Sequence, residues 1–380
     1  MKNGLFVVDG DGHVTEPVEV FLSHINEHAV EEVRLMGPPE YYADLCPTDV
    51  ERMQKQPFVS GLDGFLPLLN SAGRPTDDVF FGGFRYEDGP PGGFDGRARL
   101  ETMDAEGIDV AVLYPSMGLV MGNFGSLSMA ATMSRAYNDW LAGYCSADPG
   151  RLIGVGCIPL VDVTRAVAEL EYCVGSLGFK AAFIRPNLYG NRTLDDPHFD
   201  SFWNAAQRLR VPIGLHPAGL WDLPGAARLF KFPNMLYVTC AAFPLDSIVS
   251  LTFLMYGGVL ERFPELRVII LESGADWIAH WLDRLDHYWE VFPSLRPNAP
   301  LRPSEYFRRQ CYVGFGCDET LLPLIVKRFG YDRVLWASDF PHFDATYPGA
   351  VAAMERTLDG VPKEAWAPIF GENARRAYNL

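Results

Sequence analysis

Eight times along this 380-residue chain, a short apolar run rich in β-branched residues ends in a polar residue, Gly or Pro, and a segment of helical spacing follows. The runs are FVVDGDGH (6–13), VAVLYP (110–115), LIGVGCIP (152–159), AAFIRP (181–186), VPIGLHP (211–217), RVIILESG (267–274), CYVGFG (311–316) and RVLWASDFPH (333–342). They are continuously apolar rather than alternating, as suits parallel strands buried on both faces. Between them, Leu127–Ala147, Thr164–Leu177, Asp200–Leu209, Asp246–Phe263 and Ala275–Trp289 carry apolar residues at helical spacing. Strand and helix alternating about eight times indicate an α/β fold of the (β/α)8 barrel type, a TIM barrel. A doubly wound sheet is the weaker alternative, because no GxGxxG follows any of these runs.

Residues 31–98 break the pattern. "MGPPEYYADLCP" and "GGFRYEDGPPGGFDGRARL" are rich in Gly, Pro and aromatic residues, and the stretch is too long for an ordinary connection. We read residues 1–380 as a single barrel domain, with an insertion or lid after strand 1 at about 31–98. A hydrophobic content of 48% supports one large core. The net charge of −16 argues against a nucleic-acid partner, whose phosphates would be repelled. No run of about 18 apolar residues suggests a membrane span, and the apolar stretch near the N-terminus is too short for a signal peptide. The expected location is cytoplasmic. Seven cysteines, an odd number without CxxC, fit buried thiols rather than a disulfide scaffold or a cysteine zinc site.

In such a barrel the chemistry sits at the C-terminal ends of the strands. Asp9, Asp11, His13 and Glu16 follow strand 1, Arg185 and Asn187 strand 4, His216 strand 5, Glu272 strand 6, and Asp339 and His342 strand 8. Strand 7 offers Asp318 and Glu319 slightly past its end. Each alone has a bland reading: a polar turn, a helix cap or a hydrogen-bonded core histidine. Together they do not, because buried charges are costly unless paired or metal-bound. We therefore expect a metal site built from Asp11, His13, Glu16, His216, Glu272, Asp339 and His342. Asp9 lies deeper in the strand and reads as structural. One zinc needs only about three protein ligands, so this set suffices for two ions, and mixed histidine and carboxylate donors favour iron or manganese.

These residues resemble the amidohydrolase superfamily, and within it the branch that includes aminocarboxymuconate-semialdehyde decarboxylase and the resorcylate decarboxylases. The resemblance covers nearly the whole chain: "DGDGHVTEP", "RLETMDAEGIDVAVLYPS" (99–116), "AYNDWLAGYC" (136–145), "RLIGVGCIPL" (151–160), "VPIGLHPAG" (211–219), "FPELRVIILESGADW" (263–277), "EYFRRQCYV" (305–313), "RVLWASDFPH" (333–342) and "GENARRAY" (371–378). It implies a divalent metal held at the positions of His13, His216 and Asp339. Two departures stand out. Asp11 occupies the first position of the His-x-His found on strand 1 of many relatives. Glu272 stands where the decarboxylases carry a proton-transferring histidine. Arg185 replaces a lysine that could be carboxylated, so the bridging carbamate of the binuclear hydrolases is not evident. Asp-x-His-x-x-Glu with Ser-Asp-x-Pro-His also resembles a smaller oxygen-activating branch, which holds two iron ions, or iron with manganese.

On this basis the sequence favours a dinuclear non-haem iron (Fe/Fe or Fe/Mn) monooxygenase that uses dioxygen to hydroxylate a small-molecule or natural-product carboxylate. In that reading Glu272 and Asp339 serve catalysis, and Arg185 grips an anionic substrate group. The alternative is a zinc or manganese hydrolase or non-oxidative decarboxylase of a small organic carboxylate, with Asp339 or Glu272 moving the proton. A non-catalytic subunit fits poorly with so full a ligand set. The resemblance further implies a homodimer or a related hetero-oligomer.

Overall fold

The continuous apolar runs become eight parallel strands. In the computed structural model, residues 4–22, 66–121, 127–189, 192–218 and 238–380 are described. The strands are β1 (Val8–His13), β2 (Val110–Tyr114), β3 (Leu152–Cys157), β4 (Ala181–Ile184), β5 (Ile213–Leu215), β6 (Val268–Ile270), β7 (Cys311–Phe315) and β8 (Val334–Trp336). Each pairs with the next in chain order, and every pairing is parallel. Past the end of β8 the chain returns to β1: Asp339 N donates to Asp11 O at 3.1 Å, and His13 N donates to Phe340 O at 2.7 Å. The sheet thus closes into the expected (β/α)8 barrel, and all strand residues are buried.

Several strands are shorter than their apolar runs. β5, β6 and β8 hold three residues each. Their polar ends (His216, Glu272, Asp339) lie just past the strands and form the rim. β1 is different, because its register with β2 slips between Asp9 and Gly12. Such a bulge re-aims side chains. Asp9 turns outward to Ser338, whose N and Oγ donate to it at 2.9 and 2.6 Å. Gly12 lies against the same outer side: a Cβ there would sit 2.5 Å from Arg99 Nη2 and 2.7 Å from Asp9 Oδ2. Asp11 and His13 are left facing the rim, so simple alternation would have misplaced Asp9.

The barrel interior is packed. A Cβ on Gly214 would lie 2.8 Å from the Tyr114 hydroxyl, so β5 needs glycine to admit that ring. The hydroxyl of Tyr378 donates to Gly10 O at 2.8 Å and lies 3.0 Å from that of Tyr114. The C-terminal helix Asn373–Tyr378 is thereby tied to β1 and β2.

The surrounding helices follow the sequence closely. Val163–Gly175 starts at Asp162, whose carboxylate accepts from Thr164 N and Arg165 N, and buries Ala166, Glu169, Leu170 and Cys173. The single helix expected over 246–263 is instead two, Phe243–Tyr256 and Val259–Arg262. Gly258 adopts φ 81°, and a Cβ on it would meet Asn298 O at 2.6 Å. The stretch Thr239–Tyr256 is the one among the described residues that is long and apolar enough to cross a membrane, and 44% of it is buried inside the protein.

The part of the insertion that is described, residues 66–98, runs along the loops after β1 and β8. Ser71 N and Ala72 N both donate to Pro341 O at 3.0 Å, Thr15 N donates to Gly93 O at 2.8 Å, and the Tyr86 hydroxyl donates to Glu16 O at 2.9 Å. The rest of the expected insertion, 31–65, lies outside the described residues.

Candidate metal centre

β1, β5 and β8 deliver four side chains, gathered around His13. His13 Nε2 is 3.0 Å from Asp339 Oδ1, 3.3 Å from His216 Nε2 and 3.8 Å from Asp11 Oδ1. His216 Nε2 is 3.7 Å from Asp11 Oδ1. His13, His216 and Asp11 are all 0–1% exposed. The opposite ring nitrogens face backbone carbonyls: His13 Nδ1 is 2.7 Å from Pro115 O, and His216 Nδ1 is 2.7 Å from Pro217 O. A carbonyl only accepts, so each Nδ1 carries the hydrogen and each Nε2 presents a lone pair. Asp11 Oδ1 and Asp339 Oδ1 are buried with no hydrogen-bond donor among the described residues.

Four acceptor atoms crowded this closely repel one another unless a proton or a cation sits among them. A cation resolves this, and neighbouring ligands about 2.0–2.2 Å from one ion stand about 3–4 Å apart, as these do. Ring nitrogens fixed by backbone carbonyls are also the usual outer support of metal-binding histidines. The residues therefore fit a divalent ion, and the groups Asp11–His13–His216 and His13–Asp339–His342 each converge within 4.8 Å.

Electrostatics point the same way. Burial, then the neighbouring His13, push His216 well below the usual histidine range, and burial followed by His342 lowers His13. Both imidazoles are neutral, as ligands must be. Burial, then Asp339 and Asp9, push Asp11 well above the usual carboxylate range.

Two rim residues adopt left-handed backbone, Glu272 at φ 41° and Asp339 at φ 58°. Non-glycine residues there are strained by about 1–3 kcal/mol and persist where the surroundings fix them. The Asp339 backbone is held at both ends, by Asp11 O and by His342 N. Glu272 Oε2 lies 3.4 Å from His216 Nε2, and with Asp339, His342 and Asp344 it forms a further convergent group. Burial, then Asp339, Asp344 and Asp11, push the Glu272 carboxyl well above its ordinary value.

Glu16 is not in these groups. It is fully buried, but its carboxylate accepts from Ser116 N at 3.1 Å, Met117 N at 2.9 Å and Gly118 N at 3.0 Å. The expectation of Glu16 as a ligand came from its spacing after His13, and the loop after β2 takes its oxygens instead. Burial pushes its carboxyl up to about 7 against the pull of these amides. The folded chain therefore keeps a proton that the unfolded chain releases between about pH 4.5 and 7. Stability from this group is greatest below that window and is lost as pH rises through it, by about 3 kcal/mol at full extent. Glu16→Gln is expected to flatten that slope, as read from urea unfolding at mildly acidic and mildly alkaline pH; an unchanged slope would contradict the assignment.

His342 joins the site through Nδ1, 3.3 Å from Asp339 Oδ1, and its ring stacks on His13 at 3.9 Å. Arg185 is buried at the end of β4, where its N donates to the Tyr189 hydroxyl at 3.1 Å. Glu319, past β7, is occupied by Gly316 N and Ala275 N. Sequence reasoning missed Asp344, which belongs to the convergent group of Glu272, and Arg99. Arg99 Nη1 donates to His13 O at 2.9 Å and to Phe340 O at 3.2 Å, so it holds the loop ends of β1 and β8 together.

A (β/α)8 barrel with histidine and carboxylate donors converging beyond β1, β5 and β8 defines a metal-dependent barrel enzyme. The chain belongs to the amidohydrolase family, whose model matches residues 8–380. It is 30% identical over 258 residues to gamma-resorcylate decarboxylase from Rhizobium sp., covering 64% of this chain and 76% of that protein. It is 24% identical over 283 residues to 2-amino-3-carboxymuconate-6-semialdehyde decarboxylase from Dictyostelium discoideum, covering 74% and 76%. A crystal structure of dihydroxybenzoic acid decarboxylase from Polaromonas sp. JS666, with bound manganese and the inhibitor 2-nitroresorcinol, superposes with TM-score 0.68 at 20% identity, covering 99% of this chain and 97% of that one.

These relatives bear out the family and the barrel and correct the preferred chemistry. They are decarboxylases, which overturns the preference for an oxygenase. The two-iron centre also loses one of the seven donors counted towards two ions, because Glu16 is spent on backbone amides.

Proposed function

We propose that this protein is a metal-dependent, non-oxidative decarboxylase of a small organic carboxylate, with an arene carboxylate as the substrate class. The observation that carries this reading is the set of four metal-type donor atoms, Asp11 Oδ1, His13 Nε2, His216 Nε2 and Asp339 Oδ1, held 3.0–3.8 Å apart along the contacts His13 and His216 make. The decarboxylase relatives supply the reaction class. In this reading these four residues hold one manganese or zinc ion, which as a Lewis acid polarises a bound carboxylate.

The rest falls to the chain's own residues. Decarboxylation breaks the bond between ring carbon and carboxylate. The electron pair stays on carbon, which takes a proton as carbon dioxide leaves, so no oxidant is needed. Glu272 is the proton donor in this scheme, standing 3.4 Å from His216 Nε2 at the rim. Burial, then crowding by Asp339, Asp344 and Asp11, raises its carboxyl and so favours the form that carries a proton to give. Arg185 orients an anionic substrate group, and the segment 66–98 shields the rim from water.

The test is anaerobic incubation of manganese-loaded protein with a panel of hydroxylated arene carboxylates, following carbon dioxide and the decarboxylated arene. Equal amounts of both without oxygen support the reading. Product formation that requires oxygen contradicts it. Glu272→Gln is expected to lower kcat by about 10²–10⁴-fold while manganese stays bound; a variant with wild-type kcat would remove Glu272 from the proton path.

A further inference from the structure

Ser116, in the loop after β2, was assigned no role by the sequence, yet it touches the rim from behind. It is buried, and its hydroxyl has two neighbours: Val14 O at 2.6 Å and His342 Nε2 at 2.8 Å. A carbonyl oxygen only accepts, and a serine hydroxyl has one hydrogen to give. That hydrogen goes to Val14 O. The Ser116 oxygen then accepts from its other neighbour, so the hydrogen of His342 sits on Nε2. Nδ1, the nitrogen 3.3 Å from Asp339 Oδ1, is the one offered to the metal centre.

The same short loop fixes two stacked imidazoles. Pro115 O takes the Nδ1 hydrogen of His13, and the next residue, Ser116, takes the Nε2 hydrogen of His342. The loop is itself fixed by Glu16, whose carboxylate gathers the amides of Ser116, Met117 and Gly118. Glu16 therefore orients the residue that in turn orients a histidine.

We infer that Ser116, anchored by Glu16, is a positioning residue that fixes the tautomer of His342 and turns its Nδ1 to the metal centre. The inference rests on the reading of that centre as a metal site and adds a fifth acceptor, with its support, to the four described.

Two measurements test it. In protein labelled with 15N-histidine, the ring nitrogens of His342 are identified by their loss in His342→Asn and recorded metal-free and zinc-loaded at mildly alkaline pH. Hydrogen on Nε2 in both states is expected; hydrogen on Nδ1 overturns the inference. Titration with zinc then compares wild type, Ser116→Ala and Ser116→Thr. Loss of a supporting partner of this kind costs about 10–100-fold in metal affinity, so Ser116→Ala is expected to weaken binding by that factor and Ser116→Thr, which keeps the hydroxyl, to recover most of it. Wild-type affinity in a folded Ser116→Ala overturns the inference. Failure of the wild type to bind zinc counts against the metal reading instead, while the metal-free spectrum still decides the tautomer.

Discussion

Asp339→Ala is expected to lower turnover by on the order of 10³-fold or more and to release the metal. Lewis-acid stabilisation is worth several kcal/mol, and each 1.4 kcal/mol or so is a factor of ten. Asp339 matters more than its single carboxylate suggests. Its Oδ1 stands 3.0 Å from His13 Nε2 and 3.3 Å from His342 Nδ1, and it belongs both to the group of His13 and His342 and to that of Glu272 and Asp344. Asp339 is thus the charge best placed to balance a divalent ion. Metal content by elemental analysis, measured beside steady-state turnover, checks the claim. An Asp339→Ala variant that keeps its metal and its rate would remove the residue from the centre.

Arg99→Ala is expected to destabilise the fold by about 3–5 kcal/mol, a large share of the roughly 5–15 kcal/mol that holds a domain folded. Arg99 is 1% exposed and pairs with Asp9, fully buried, at 3.6 Å. It also donates to His13 O and Phe340 O and stacks 4.6 Å over the Phe340 ring. Removing it strands the Asp9 charge and frees the loop ends that carry His13 and Asp339. Stability and metal affinity should therefore fall together. Asp9→Asn in the same chain is expected to recover part of the lost stability, because the stranded charge goes with it. Urea unfolding of both variants measures this. A loss below about 1 kcal/mol in Arg99→Ala would show that Asp9 finds other support.

The barrel was legible because its strands are continuous apolar runs with sharp polar endings, and burial on both faces leaves few other ways to fold such runs. Much of the cluster was legible for the same reason: in a barrel, strand ends meet, so His13, His216, Asp339, Glu272 and His342 could be listed together without knowing any distance. Glu16 shows where that logic stops. Its spacing after His13 matched a ligand, but only the path of the chain after β2 determines which donors reach its carboxylate. Ser116 was passed over because the end of β2 carries no metal-type side chain, although the strand-end rule pointed to that place. Asp9 was set apart for its depth in the strand, while the physical cause is the bulge before Gly12. The chemistry was the least legible part. Histidine and carboxylate donors suit oxygen activation as well as decarboxylation, and counting them did not separate the two.

The central claim is that Asp11, His13, His216 and Asp339 hold one divalent ion. The number of ions bound per chain, counted by elemental analysis after manganese loading and dialysis, tests it most directly in wild type and in His13→Ala/His216→Ala. One ion per wild-type chain and none in the double variant is the expected result. Two ions per chain, or an ion retained in the double variant, would contradict it.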